Sequence, residues 1–158
     1  MSRDRGELMQ ELGGALRSYQ RSVDAFDETV ARHLGVNRTD LRALDVLLEQ
    51  GQTTPGFLAD AVGLTTGSVT AMLDRLEKLE YIERRPDPGD RRRVTVLPTA
   101  RLLALAGKIY GPLVEEGGPL LGRYSRAELE MLVDLLQRVQ TVQETHSERV
   151  RGMGAVSR

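Results

Sequence analysis

The sequence predicts a mainly α-helical chain that carries one small β-hairpin. Three observations predict it. Apolar residues recur at spacings of three and four along most of the 158 residues, which is the helical period. Glycines, prolines and hydroxyl or amide caps cut that pattern into segments. One stretch alone, "YIERRPDPGDRRRVTVL" (81–97), replaces the helical period with two strand-like runs around a Pro-Asp-Pro-Gly-Asp turn.

The elements follow in order. Leu8, Leu12, Leu16, Tyr19, Val23, Phe26 and Val30 predict one long helix over 7–34, with a near-heptad stripe that needs a partner helix from this chain or another copy. "LGVN" (34–37) ends it. Asn37 then caps a second helix, with Asp40 in its first turn, Leu41, Leu44, Leu47 and Leu48 facing inward, and Gly51 at its end. Pro55 opens a third helix that carries Phe57, Leu58, Ala61 and Val62 and stops at Gly63. Thr65 or Thr66 caps a fourth, striped by Val69, Met72, Leu73, Leu76 and Leu79. After the hairpin, Leu102, Leu105, Ala106, Ile109 and Leu113 predict a helix that Gly111-Pro112 and Gly117-Gly118-Pro119 should interrupt or end. "SRAE" (125–128) is a capping box that starts the last helix, with Leu129, Leu132, Val133, Leu136 and Val139 on one side. Residues 151–158 read as a frayed tail.

Composition narrows the function. The chain has no cysteine, which excludes disulfides, thiolate zinc sites and thiol redox sensing. No metal site, cofactor or catalytic constellation is expected: there is no Ser-His-Asp or Cys-His arrangement, no phosphate-binding glycine loop after a strand, and no metal-spaced cluster. An enzyme is therefore not expected. No apolar run approaches the roughly 18 residues of a membrane span, so the reading is cytoplasmic with no membrane contact. The formal net charge is −1, so any surface for a polyanion must be local.

Five arginines in 81–97 supply such a surface. Two short helices joined through a glycine and followed by a basic hairpin form a winged helix-turn-helix. Its second helix enters the major groove of DNA with its early residues at the base edges. Thr65, Thr66, Gly67, Ser68, Thr70 and Arg75 lie off that helix's apolar stripe. Small and hydroxyl-bearing residues permit close approach and hydrogen bonding to bases or phosphates, and Arg75 is long enough for a phosphate or a guanine. Arg91, Arg92 and Arg93 alternate in direction if they begin a strand. Arg92 is then assigned to the minor groove, where negative potential concentrates, and Arg91 to phosphate. Asp87 and Asp90 stiffen the wing, with Arg84 or Arg85 as their partners. Alone, a charged hairpin is more often a solvated turn and a "TTGS" start an ordinary cap; it is the order and short spacing of the whole constellation that favour double-stranded DNA.

"LTTGSVTAMLDRLEKLEYIERRPDPGDRRRVTVL" (64–97) resembles the MarR family of bacterial transcription regulators, most specifically over "DRLEKLEYIERRPDPGDRR" (74–92). The resemblance implies an N-terminal dimerisation helix over 1–34, a DNA-binding lobe over 35–98 and C-terminal dimerisation helices over 99–150. It implies a homodimer on a pseudo-palindromic operator, most often as a repressor, with Asp90 and Arg92 at the family's wing aspartate and wing arginine. It also implies a small aromatic or anionic effector in the crevice where the dimer region meets the lobe. His33 lies near there. A histidine can hold a carboxylate, but more often one at a helix end simply caps it as a cation. One departure is "LPTA" (97–100) in place of the family's Leu-Thr, with Thr99 taking over as cap. A reading from a different class keeps the helices but sets the basic wing against an acidic protein, as an adaptor.

Overall fold

Eight elements follow one another: α1 (Arg5–Leu34), α2 (Arg38–Gln50), α3 (Pro55–Val62), α4 (Thr66–Lys78), β1 (Ile82–Pro86), β2 (Val94–Pro98), α5 (Ala100–Leu121) and α6 (Arg126–Gly152). The structure is a computed structural model and describes residues 4–87, 89, 90 and 93–154. It is a winged helix-turn-helix flanked by longer helices, the fold class expected.

Local chemistry starts the helices. Asn37 Oδ1 accepts from the Asp40 amide at 2.8 Å and Thr54 Oγ1 from the Phe57 amide at 3.3 Å. Ser125 and Glu128 form the full capping box of α6. Each cap satisfies an amide that has no partner inside its helix. Gly35 and Gly63 close α1 and α3 in the left-handed conformation. Thr99 does cap α5, accepting from the Leu102 amide at 3.2 Å.

The chain divides into one unit that ends at Ile109 and another that begins at Tyr110. The first holds the core. Leu41, Leu44 and Leu47 of α2, Leu58 of α3, Val69, Met72, Leu73 and Leu76 of α4, Ile82 and Val96 of the hairpin and Leu102 of α5 are all buried in one cluster. Strands β1 and β2 pair antiparallel with Ile82 opposite Pro98 and Arg84 opposite Val96. Thr53 adds a single bridge to Val96, with N–H to O distances of 2.8 and 3.0 Å. Tyr81 locks α1 to this lobe: its buried hydroxyl donates to the Leu34 carbonyl at 2.8 Å. Glu80, just before it, is the one non-glycine residue with positive φ among those described, at 60°. That conformation disfavours a Cβ, and it is held by Thr99 Oγ1, which donates to the Glu80 carbonyl at 2.6 Å, and by Arg101 on the Glu80 carboxylate at 3.0 Å.

Four expectations need correction. Phe57 was placed on the inward stripe of α3 but is 49% exposed, because Leu58 and Ala59 face the core instead. The prolines do not end α5, which runs through both Pro112 and Pro119; each lacks an N–H to donate, yet the helix continues on either side. Arg93 does not begin a strand, since β2 starts at Val94. And α6 carries on past residue 150 to Gly152. The α1 stripe is a different matter. Leu8, Leu12, Tyr19, Val23 and Phe26 are helical as expected yet exposed, and only Val30, Ala31 and Leu34 of this helix are buried. In the second unit α6 buries no side chain at all, with Met131, Val133, Leu136 and Val142 open. Among the described residues no single helix is long and apolar enough to cross a membrane.

Candidate nucleic-acid interface

Helix α4 turns its apolar stripe into the core and leaves Thr65, Thr66, Gly67, Ser68 and Thr70 exposed at its start. The hydroxyls are already oriented. Thr65 accepts from the Ser68 amide at 3.4 Å and donates to Ser68 Oγ at 3.0 Å. That leaves the Ser68 hydroxyl with its own proton to give. Thr70 donates back to the Thr66 carbonyl at 3.1 Å, so it presents an acceptor and a methyl group outward. At Gly67 an added Cβ would meet nothing within 4 Å. Nothing inside the chain requires a glycine there.

The wing stands beside this helix. Asp87 Oδ1 accepts from the Gly89 and Asp90 amides at 2.8 and 3.1 Å, and Thr95 Oγ1 donates to Oδ2 at 3.4 Å. These bonds tie Asp87 to Gly89, Asp90 and Thr95, as an Asx turn does. The Gly89 amide, then that of Asp90, holds the Asp87 carboxyl below its ordinary range. Asp90 lies 3.6 Å from Arg93 Nε, and its carbonyl accepts from the Arg93 amide at 2.8 Å. Arg91 and Arg92, assigned to phosphate and minor groove, lie outside the described residues.

Two arginines are engaged in ways the sequence did not indicate. Arg84 does not pair with the wing aspartates. Its side chain reaches from β1 to the last turns of α4, bonding Asp74 Oδ1 at 2.7 Å and Glu77 Oε2, while its backbone amide donates to Glu77 Oε1 at 3.3 Å. The Arg84 hydrogen bond draws the Glu77 carboxyl below its ordinary range, and the two acids hold the Arg84 proton more tightly. Arg75, expected at the DNA, gives Nη2 and Nε to the two carboxylate oxygens of Asp40 at 2.7 and 3.2 Å. Asp40 is 2% exposed, the one buried charged side chain among the described residues. A buried carboxylate requires such a partner, which is why Arg75 is drawn to it. Neither pair has a local signature: Asp40 and Arg75 stand 35 residues apart.

His33 lies with Phe26, Thr29, Val30 and Ile109 around a crevice of about 200 Å³. It also falls in the last turn of α1, where a cation suits the helix dipole. Among the described residues there is no group of three His, Cys, Asp or Glu arranged to hold a metal.

Known proteins share this architecture. A model of the MarR family matches residues 36–94. The HTH-type transcriptional regulator YcgE of Bacillus subtilis, itself uncharacterized, is 35% identical over 147 residues, covering 93% of this chain and 96% of that protein. Among solved structures, a mutant of MarR from E. coli complexed with operator DNA superposes with a TM-score of 0.53 at 23% identity, over 87% of this chain and 99% of that one. NadR in complex with 4-hydroxyphenylacetate gives 0.59 at 24% identity, over 80% and 89%. At these identities the two structures speak to the fold alone.

Proposed function

The chain belongs to the MarR family of winged helix-turn-helix, DNA-binding transcription regulators, and from that premise we propose that it is a cytoplasmic homodimeric repressor of a pseudo-palindromic operator. The family is one of regulators rather than enzymes. The observation that carries the reading is the exposed start of α4, with Thr65, Thr66, Gly67, Ser68 and Thr70 set beside an Asp87-stiffened basic hairpin. In the proposed complex these residues read or flank the major groove. Arg91 and Arg93 meet phosphate and Arg92 enters the minor groove. The open apolar faces of α1 and α6 support pairing with a second copy, which would place two α4 helices about one helical turn, roughly 34 Å, apart on the duplex.

Selection from a random duplex library, run for the wild type and Arg92→Ala in parallel, tests the reading. The expected result is a pseudo-palindrome enriched by the wild type and more weakly by the variant. Weak binding that salt erases, with no enrichment, would sink it and return the acidic-protein reading.

We further propose that the crevice beside His33 takes a small aromatic acid that releases the DNA. Its volume is below the roughly 300–1,000 Å³ of drug-sized sites and suits one ring, with His33 at hand for a carboxylate. An effector works only through unequal affinity for the two states. Replacing His33 with alanine should therefore keep operator affinity and abolish release by 4-hydroxyphenylacetate, used as the probe acid. Identical release curves for the two proteins would rule His33 out.

A further inference from the structure

Helix α4 has two exposed edges beside its buried stripe, and one of them carries Ser68, Ala71 and Arg75 at spacings of three and four. Ser68 belongs to the hydroxyl surface. Arg75, seven residues on, sits about 10 Å further along the axis, and its guanidinium faces Asp40 in the first turn of α2. The bond is a two-point fork, Nη2 to Oδ1 at 2.7 Å and Nε to Oδ2 at 3.2 Å. The other partner is equally fixed. The Asp40 backbone amide is tied to Asn37 Oδ1 at 2.8 Å, and its side chain is 3% exposed. Arg75 itself is 51% exposed, so the long side chain gives up half its contact with water and two donors to this single carboxylate. A planar two-point contact fixes orientation as well as distance, which a lysine cannot do.

We propose that Arg75 is a positioning residue for operator recognition, not a DNA contact: gripped by Asp40, it sets the roll of α4 about its own axis. This rests on the reading of α4 as the recognition helix. The lever is short but sufficient. At a side-chain radius of about 5 Å, a roll of about 15° carries a hydroxyl through about 1 Å. That is enough to break a hydrogen bond to a base edge. Phosphate contacts made by other residues tolerate such a roll, because they depend on charge more than on angle. The pair therefore governs sequence-specific binding and leaves non-specific binding nearly intact.

The test is a two-residue cycle on the duplex recovered by selection and on a scrambled duplex of the same length. Wild type, Arg75→Gln, Arg75→Lys, Asp40→Asn and the Asp40→Asn/Arg75→Gln double variant are titrated across a salt series. Thermal melts of each protein choose a temperature at which all are folded. The expected result is a loss of about tenfold or more on the selected duplex for every single variant, lysine included, with the scrambled duplex bound as before. The slope of log K against log salt should not move, and the double variant should be no weaker than either single one. A slope shallower by about 0.9 in Arg75→Gln, the signature of one lost phosphate, with Asp40→Asn bound normally, would overturn the inference and make Arg75 a contact. Relaxed preference at one base position in the Arg75 variants alone would overturn it likewise. Equal losses on both duplexes would reduce the pair to a fold-stabilising role. A wild type that selects no sequence overturns the regulator reading and this inference together, an outcome distinct from all the others.

Discussion

Arg84→Ala should weaken operator binding about tenfold or more at moderate salt, measured by titrating the selected duplex. The argument is electrostatic first. Asp74 and Glu77 both belong to α4, and Asp74 is 60% exposed on the side away from the core. In the structure Arg84 pairs with both, so its one positive charge leaves the trio at a single negative charge. Without it the trio presents one more negative charge to a phosphate backbone. At a separation of about 6 Å and an effective dielectric near 40, that added charge repels a phosphate by roughly 1.4 kcal/mol. This amounts to about tenfold in affinity. The loss of the strut between β1 and α4 adds to this by freeing the wing. The two contributions separate cleanly. Adding Asp74→Asn and Glu77→Gln to Arg84→Ala should recover most of the affinity if charge dominates, and none of it if the strut does. A pH dependence follows with a definite sign. Glu77 is held below its ordinary range, so its contribution is fully present above the unfolded-state value and fades as pH falls through the folded one. The wing staple therefore weakens in acid.

The second large effect is on stability. Leu44→Ala should cost about 3–4 kcal/mol, lowering Tm by roughly 6–15 °C for a chain of this size. Leu44 is 1% exposed and packs in the cluster that α2, α3, α4 and the hairpin share. No solvent can fill the space left behind, so the lost transfer energy and the cavity both count. The same substitution at Leu136, 52% exposed, removes almost nothing from the chain's own core. Calorimetry on the two variants at matched concentration is the check. A shift of less than about 2 °C for Leu44→Ala would mean that the buried cluster does not hold the lobe.

What the sequence revealed divides along the distance between partners. The caps of α2, α4 and α6 were legible because each joins a side chain to an amide three residues on. The stripes of α2 and α4 were legible because burial repeats with the helical period. The hydroxyl surface at 65–70 was simply what that period left over. Arg75 and Arg84 could not be placed in the same way. Their acids are 35 and 7–10 residues away, and no local pattern links an arginine to an acid that only the fold brings near, so Arg75 reads as a DNA contact and Arg84 as a partner of the wing aspartates. Phe57 failed for a related reason: α3 has only eight residues, too few for periodicity to tell Phe57 from Ala59 as the inward side chain. In α5 the local rule for proline lost to the rest of the helix.

Such a regulator is sensitive to its own abundance. In the proposed homodimer, a helix of 27 residues that buries nothing within its chain would take its stability from a second copy, and that stability would rise with concentration. Where pairing and operator binding are coupled in this way, occupancy at low copy number follows the square of the protein present. Halving the number of molecules in a cell then removes about three quarters of the bound operator. Dilution by growth would then lower operator occupancy more steeply than it lowers the protein itself.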